Sequence, residues 1–193
     1  TKGVSEYQAG RADAAEACFR ESVRILHDAG DARWEGIARC QLAIVMQDAA
    51  RWDDARAMLV EAKRCAERDG AWNVTVMVDQ ARAALAHALG ELDEAEVLYA
   101  AVVDTHRRVR NRPFLGIYVG YRGVVARERG DLDRAASLLA EACDALESDH
   151  EFLLAGDVFD HDQLVDFISH LRSDDAAVRN RPHPFEVGRY FDV

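Results

Sequence analysis

Proline and glycine are scarce in this chain: 3 and 12 among 193 residues. That excludes collagen-like, Pro-rich linker and turn-dense all-β compositions. Positive charge is also short. There are 24 Lys and Arg against 35 Asp and Glu, a net charge of −11. A surface of that sign repels phosphate backbones, so direct nucleic-acid binding is not expected. No apolar run approaches the roughly 18 residues of a membrane span, and no signal peptide is visible, so no membrane partner is expected. The four cysteines, Cys18, Cys40, Cys65 and Cys143, form no C-x-x-C pair and sit inside helical patterns. They read as reduced core residues of a cytoplasmic protein. Nucleophile elbows, phosphate loops and H-E-x-x-H motifs are all missing, so no catalytic residue and no cofactor is assigned.

What the chain does contain is a register. Asp13, Asp53, Asp93 and Asp133 recur every 40 residues. Ala15, Ala55, Ala95 and Ala135 keep the same step, as do Gly10, Ala50, Gly90 and Gly130, and Phe19, Leu59, Tyr99 and Leu139. No insertion breaks the register over 120 residues. With nearly half the residues apolar and Ala dominant, this predicts an all-α solenoid of helix pairs, each burying its apolar face by stacking on neighbours. Each unit has a helix A, a turn and a helix B. In unit three, residues 71–88 form A, Gly90 ends it in the left-handed region, Asp93 caps B, and B runs over 94–108. Ala50 replaces the turn glycine in unit two, which predicts strain there. The recurrent Ala sits where the two helices approach closely, and the bulky residue four later lies on the same face. The chain starts at Thr1 in the middle of a unit, so a fragment of a longer protein, or a trimmed one, is expected.

These positions resemble the tetratricopeptide repeat (TPR) family. In unit one the matching residues are Gly10, Asp13, Ala15, Phe19 and Ser22, and in unit three Gly90, Asp93, Ala95, Tyr99 and Val102. Gly3, Ala43, Ala83 and Gly123 fit the family's small helix-A position. The period exceeds the family's usual length of about 34 residues, which predicts longer helices. The closing Pro is missing after units one and two, while Pro113 opens unit four, and the helix-A aromatic is mostly absent. The resemblance implies a right-handed superhelix of antiparallel hairpins over residues 1–148, its first unit truncated. Val109-Arg110-Asn111-Arg112-Pro113 recurs as Val178-Arg179-Asn180-Arg181-Pro182. Residues 149–180 are therefore read as a degenerate cap: a short helix A at 150–158 and a helix-B equivalent at 160–171, extended by a second stretch at 174–180. Two prolines make residues 181–193 an extended tail, whose Phe185, Tyr190 and Phe191 favour docking on its own stack or on a neighbouring chain.

The resemblance also implies where a ligand binds. Helix A lines the concave wall in such stacks. The positions expected to face it are Tyr7, Gln8, Ile37, Cys40, Ile44, Gln47, Asp48, Met77, Gln80, Ala84, His87, Ile117, Gly120, Val124 and Arg127. That set is apolar with a few polar groups, which suits a peptide or an amphipathic helix. The family's clamp for acidic C-terminal peptides needs Lys, Asn and Arg, and Met77, Gln80 and Ala81 stand in that stretch instead. Other clusters have plainer readings. His150, His161, His170 and His183 lie near acidic residues at spacings that give no helical ligand pair, and read as solvated surface. Arg107, Arg108, Arg110 and Arg112 complement a helix C-terminus, or form an anion site. Trp52 is expected to pack between hairpin turns, and Trp34 and Trp72 either pack or mark a binding rim. The functional expectation is a non-catalytic protein- or peptide-binding scaffold, the interaction or sensor part of a larger regulator. The alternative is an accessory or catalytic domain of an enzyme with its site in the irregular C-terminal region.

Overall fold

In a computed structural model of the protein, residues 2–148 and 161–179 are described. Nine helices and no strand occur among them. They are α1 (Lys2–Gln8), α2 (Ala12–Asp28), α3 (Ala32–Asp48), α4 (Trp52–Asp69), α5 (Trp72–Ala88), α6 (Leu92–Arg108), α7 (Arg112–Glu128), α8 (Leu132–Ser148) and α9 (His161–Arg179). Helix boundaries fall near 10–13, 50–53, 90–93 and 130–133 as expected: residues 9–11, 49–51, 89–91 and 129–131 lie between helices, and the next helix starts at Ala12, Trp52, Leu92 and Leu132.

The backbone repeats twice as often as the sequence does. Gly10, Gly30, Ala50, Gly70, Gly90, Arg110 and Gly130 all have positive φ, one every 20 residues. A left-handed residue thus ends helix B as well as helix A. At six of these seven sites two bonds close the helix end: the left-handed residue's N–H and the next one each return to a carbonyl in the last turn, as in Gly90 to His87 and Glu91 to Ala86, both 2.9 Å. Gly70 makes one such bond, to Ala66. Ala50 and Arg110 adopt φ of 55° with a Cβ in place, so the strain expected at Ala50 is present.

One expectation about capping is corrected. Helix α6 starts at Leu92, so Asp93 lies inside the first turn instead of in front of it. Asp13, Asp53 and Asp133 are placed likewise. There a carboxylate stabilises the positive end of the helix dipole. Side-chain capping is seen at Asp131, in front of α8, which accepts from the Arg134 N–H at 3.3 Å, and at Asp31, in front of α3, which accepts from the Trp34 N–H at 3.1 Å, while Arg11 and Arg51 make no side-chain cap at α2 and α4.

The chain forms two compact units, residues 1–102 and 103–193. In the first, α1 lies against α2 and α3 against α4, and α3 also meets α2 and α5. Ala15, Ala55 and Ala95 have no exposed surface, and Phe19, Leu59 and Tyr99 are buried beside them. The small helix-A residues are small for a reason. A Cβ on Gly3 would sit 2.8 Å from the Phe19 ring. The second unit repeats this: Ala135 and Leu139 are fully buried, and a Cβ on Gly123 would fall 2.8 Å from Leu139. There His106 is buried with its ring stacked on Phe114 and on Tyr118, each 5.6 Å away. Helix α9 packs on α8 and brings Leu171 against Gly120 of α7. It is one helix, His161–Arg179, running through both stretches read as the helix-B equivalent, 160–171 and 174–180. The short helix expected at 150–158 and the tail at 181–193 lie outside the described residues.

Candidate functional site

Helix α3 has two sides. Glu35, Ala38, Leu42, Val45 and Met46 face the core. Trp34, Ile37, Gln41, Ile44 and Asp48, spaced three and four apart, stay exposed or half-buried. On α5, Met77, Gln80, Ala81 and His87 are half-buried and Ala84 is exposed. Ile37 and Met77 rest partly on the core of the first unit, so their open surface sits on a packed base. Tyr7 of α1 is half-buried and donates its hydroxyl to the Asp48 carboxylate; that hydrogen bond, burial and the carboxylate charge push its hydroxyl up to about 12. Gln8 is exposed. Gln47 is half-buried, and its Nε2 is enclosed without a hydrogen-bond partner among the described residues. His87 meets the Tyr99 ring edge-on at 6.0 Å. In the second unit Ile117, Val124 and Arg127 are half-buried on α7.

Two expected groove residues do not belong to an open face. Cys40 is 1% exposed and is part of the core, and its thiol is pushed up to about 12 by burial, then by Asp79 and Cys65. Gly120 lies under Leu171. They stand at the same register position, two periods apart. Helix α3 meets both α4 and α5, and α7 both α8 and α9; Cys65 of α4 and Asp79 of α5 stand near Cys40, and Ala142 of α8 and Leu171 of α9 near Gly120. The open row therefore runs one residue over, through Gln41, which sequence reasoning missed.

The aromatic rim is exposed. Trp34 and Trp72 are 53% and 51% exposed at the N-terminal ends of α3 and α5. Trp52, expected to pack between turns, is still 36% exposed because α4 begins with it.

The strongest electrostatic feature had no sequence signal. Glu35, 2% exposed, receives Arg39 at 2.7 Å from its own helix, Arg68 at 3.1 Å from α4, and the His27 ring at 3.2 Å from α2. Burial alone would raise its carboxyl, but the hydrogen bonds from Arg39 and His27 win and hold it below the ordinary glutamate range. A second pair, Lys63–Asp79 at 2.8 Å, joins α4 to α5, with Arg82 3.4 Å from the same carboxylate. Both carboxylates read in sequence as ordinary helix acids. These cations are tied to carboxylates, so the cluster joins helices and holds no poised nucleophile: burial raises the Cys65 thiol more than Arg68 lowers it.

The remaining clusters are accounted for locally. Arg107 reaches Glu141 of α8 at 2.8 Å, and Arg108 reaches Thr105 at 3.2 Å. Arg112 borders an open cleft of about 520 Å³ with Leu115, Ser137, Glu141 and Asp144. Of the histidines, His170 is exposed with its ring 3.0 Å from the Asp166 carbonyl, and His150 and His183 lie outside the described residues. Among the described residues, no three His, Cys, Asp or Glu side chains gather as a metal site. No helix there is long and apolar enough to cross a membrane.

No protein-family model matches the sequence. Glutamine synthetases of Streptomyces viridochromogenes and Streptomyces coelicolor are 42% identical to it over 67 residues, which is 34% of this chain and 14% of theirs. The Mycobacterium tuberculosis glutamine synthetase is 37% identical over a stretch of the same length. The chain thus spans about a seventh of the length of these curated relatives. Solved structures match much more of it. BtubC (BKLC) from P. vanneervenii superimposes with a TM-score of 0.70 at 18% identity, covering 94% of this chain and 80% of that one. A kinesin light chain from Podosopora anserina with nearly identical TPR-like repeats gives 0.63 at 13% identity, covering 93% and 94%. In fold, this chain is a TPR-like helical repeat protein.

Proposed function

We propose that the chain is a non-catalytic interaction module that holds a peptide or protein segment against its helix-A faces. The row Trp34, Ile37, Gln41 and Ile44 on α3, with Met77 on the neighbouring α5, supports this reading. Large apolar groups left half-open on a packed base, with Trp at the rim, are what a partner can bury at little ordering cost. In the first unit the face would also include Tyr7, Gln8, Gln47, Asp48, Gln80 and His87; in the second unit, taken by itself, Ile117 and Arg127 would belong to the α7 face. In this reading the module works in the cytoplasm as the docking or sensor part of a larger regulator. The test is capture from cell extract by the immobilised chain, analysed by mass spectrometry. Ile37→Glu with Met77→Glu is expected to lose the proteins that the unaltered chain retains, with the helical circular dichroism unchanged. An identical captured set from both would move the site elsewhere.

A second reading rests on the segment shared with glutamine synthetases. It makes the chain an accessory or catalytic part of such an enzyme, with its site in the C-terminal region. Assaying the purified chain for glutamine formation separates the readings, since turnover would favour the second.

A further inference from the structure

Lys63 of α4 and Arg82 of α5 hold the Asp79 carboxylate of α5 between them, at 2.8 Å and 3.4 Å. One period earlier the same three register positions carry Val23 on α2, and Arg39 and Leu42 on α3. The groove between α4 and α5 thus closes on an acid of its own. Between α2 and α3 a cation stands in that acid's place, and apolar side chains replace the two cations that grip it.

Where α2, α3 and α4 meet there is a cleft of about 270 Å³, the liquid volume of about nine water molecules. Val23, Leu42 and Met58 form its apolar lining. Arg20, Arg24 and Arg39 form its cationic lining, with His27 and Asp28 beside them. In a chain of net charge −11, three arginines against one aspartate reverse the sign locally. Arg39 and Leu42 lie on the side of α3 that carries Glu35 and Met46, opposite the row of Ile37, Gln41 and Ile44. The cleft is therefore separate from the face proposed above, and either can fail alone.

We propose that this cleft binds a ligand carrying a carboxylate on a short apolar stem, the acid held by Arg39, Arg20 and Arg24 and the stem laid on Val23, Leu42 and Met58. The donors are in place. Arg39 gives its Nε and one Nη to Glu35, which fixes the guanidinium and leaves the other Nη for a second acceptor. Arg20 pairs with Glu16, and Arg24 with Glu21 and Asp28, each on its own helix and with 54% and 62% of the arginine side chains exposed. Exposed pairs of that kind hold weakly, so both arginines can turn to an incoming acid. Val23 and Met58 are half-buried, so a stem laid on them removes apolar surface from water. The pairing of Asp79 with Lys63 and Arg82 is the internal precedent, a carboxylate gripped at this position of the repeat.

The probes are a capped Leu-Glu-Leu tripeptide and free glutarate, each titrated into the isotope-labelled chain and followed by NMR. The side-chain Nε–Hε signal of Arg39 is expected to shift saturably, with half-saturation below about 1 mM for at least one probe. Raising the salt from about 50 to about 500 mM should weaken binding, because the charges at the mouth are screened. Arg20→Gln with Arg24→Gln should weaken it tenfold or more; both sites are exposed, and melting curves check that the variant folds. Arg39 is left unaltered because it also holds Glu35. Glutarate binding at least as tightly as the tripeptide assigns a free small acid, and weaker binding assigns an acidic segment of a partner protein; the proposal stands in both cases. Three results would each overturn it: half-saturation not reached with either probe by about 1 mM, equal binding by the double variant, or equal binding of a capped Leu-Gln-Leu tripeptide, which has no carboxylate.

Discussion

Two residues hold a backbone conformation that suits glycine. Ala50 and Arg110 both sit at φ of 55° where five other turns have Gly. The left-handed conformation costs an L-residue roughly 1 kcal/mol, and Ala50 is exposed, so its methyl group buries little surface to offset that cost. Ala50→Gly is therefore expected to raise the melting temperature despite glycine's larger unfolded-state entropy. A lower melting temperature would show that entropy wins at this turn. Glu35 is the opposite case, a residue whose surroundings are built for it. Removing one partner of a buried ion pair strands the others at a cost of about 3–5 kcal/mol; Glu35→Gln should cost about 2–4 kcal/mol, less than that because Arg68 and His27 are largely exposed. The pH dependence follows. The Glu35 carboxyl lies below its ordinary range when folded, so falling pH protonates the unfolded state first. Stability from this group is complete above the ordinary glutamate range near pH 4.3 and drains away as pH falls through the lower folded value. Glu35→Gln should flatten that part of the profile in urea titrations at pH 3 to 5. An unchanged acid slope would assign it to the other paired carboxylates, such as Glu16.

At the scale of the helix, the hairpin contact depends on residues without bulk. Ala95 has no exposed surface at the start of α6. Ala95→Leu should cost about 1–3 kcal/mol by overpacking. Ala100 is half-buried, so the cleaner control on the same helix is Ala101→Leu, at an exposed position, which should change the melting point little. Equal shifts would mean that the helix-B face has been assigned wrongly. Helix boundaries, the tight Ala and Gly positions and the strain at Ala50 were legible in sequence because they repeat, and repetition separates a structural demand from chance. The placement of Asp93 was not. A helix start moved by two residues turns a cap into a first-turn charge, and both roles select the same amino acid.

At the scale of the molecule, all three tryptophans, Trp34, Trp52 and Trp72, lie in the first compact unit. Tryptophan fluorescence therefore reports that unit, and circular dichroism reports the whole chain. Leu171→Ala opens a cavity in the second unit, where Leu171 is 3% exposed, and should cost about 2–4 kcal/mol there. Because each repeat draws its stability from its neighbours, the fluorescence midpoint in urea should shift less than the dichroism midpoint. Coincident shifts would show that the chain unfolds as one block.

The sequence by itself determined the periodicity, and with it the fold class, the hairpin turns and the small residues at helix crossings. These are local or nearest-neighbour demands, and each is met by residues at a constant spacing. Only the tertiary structure decided which side of helix A is open. Ile37, Cys40, Gln41 and Ile44 fall within eight residues of one helix, and periodicity assigns a side without saying which neighbour covers it. With Cys65 of α4 and Asp79 of α5 near it, Cys40 is buried, while Gln41 beside it stays half-open. The same holds for Glu35, whose partners come from α2 and α4 as well as from its own helix. A carboxylate joined to residues 8 before it and 33 after it has no signature in any sequence window, because the bonds exist only once three helices are packed.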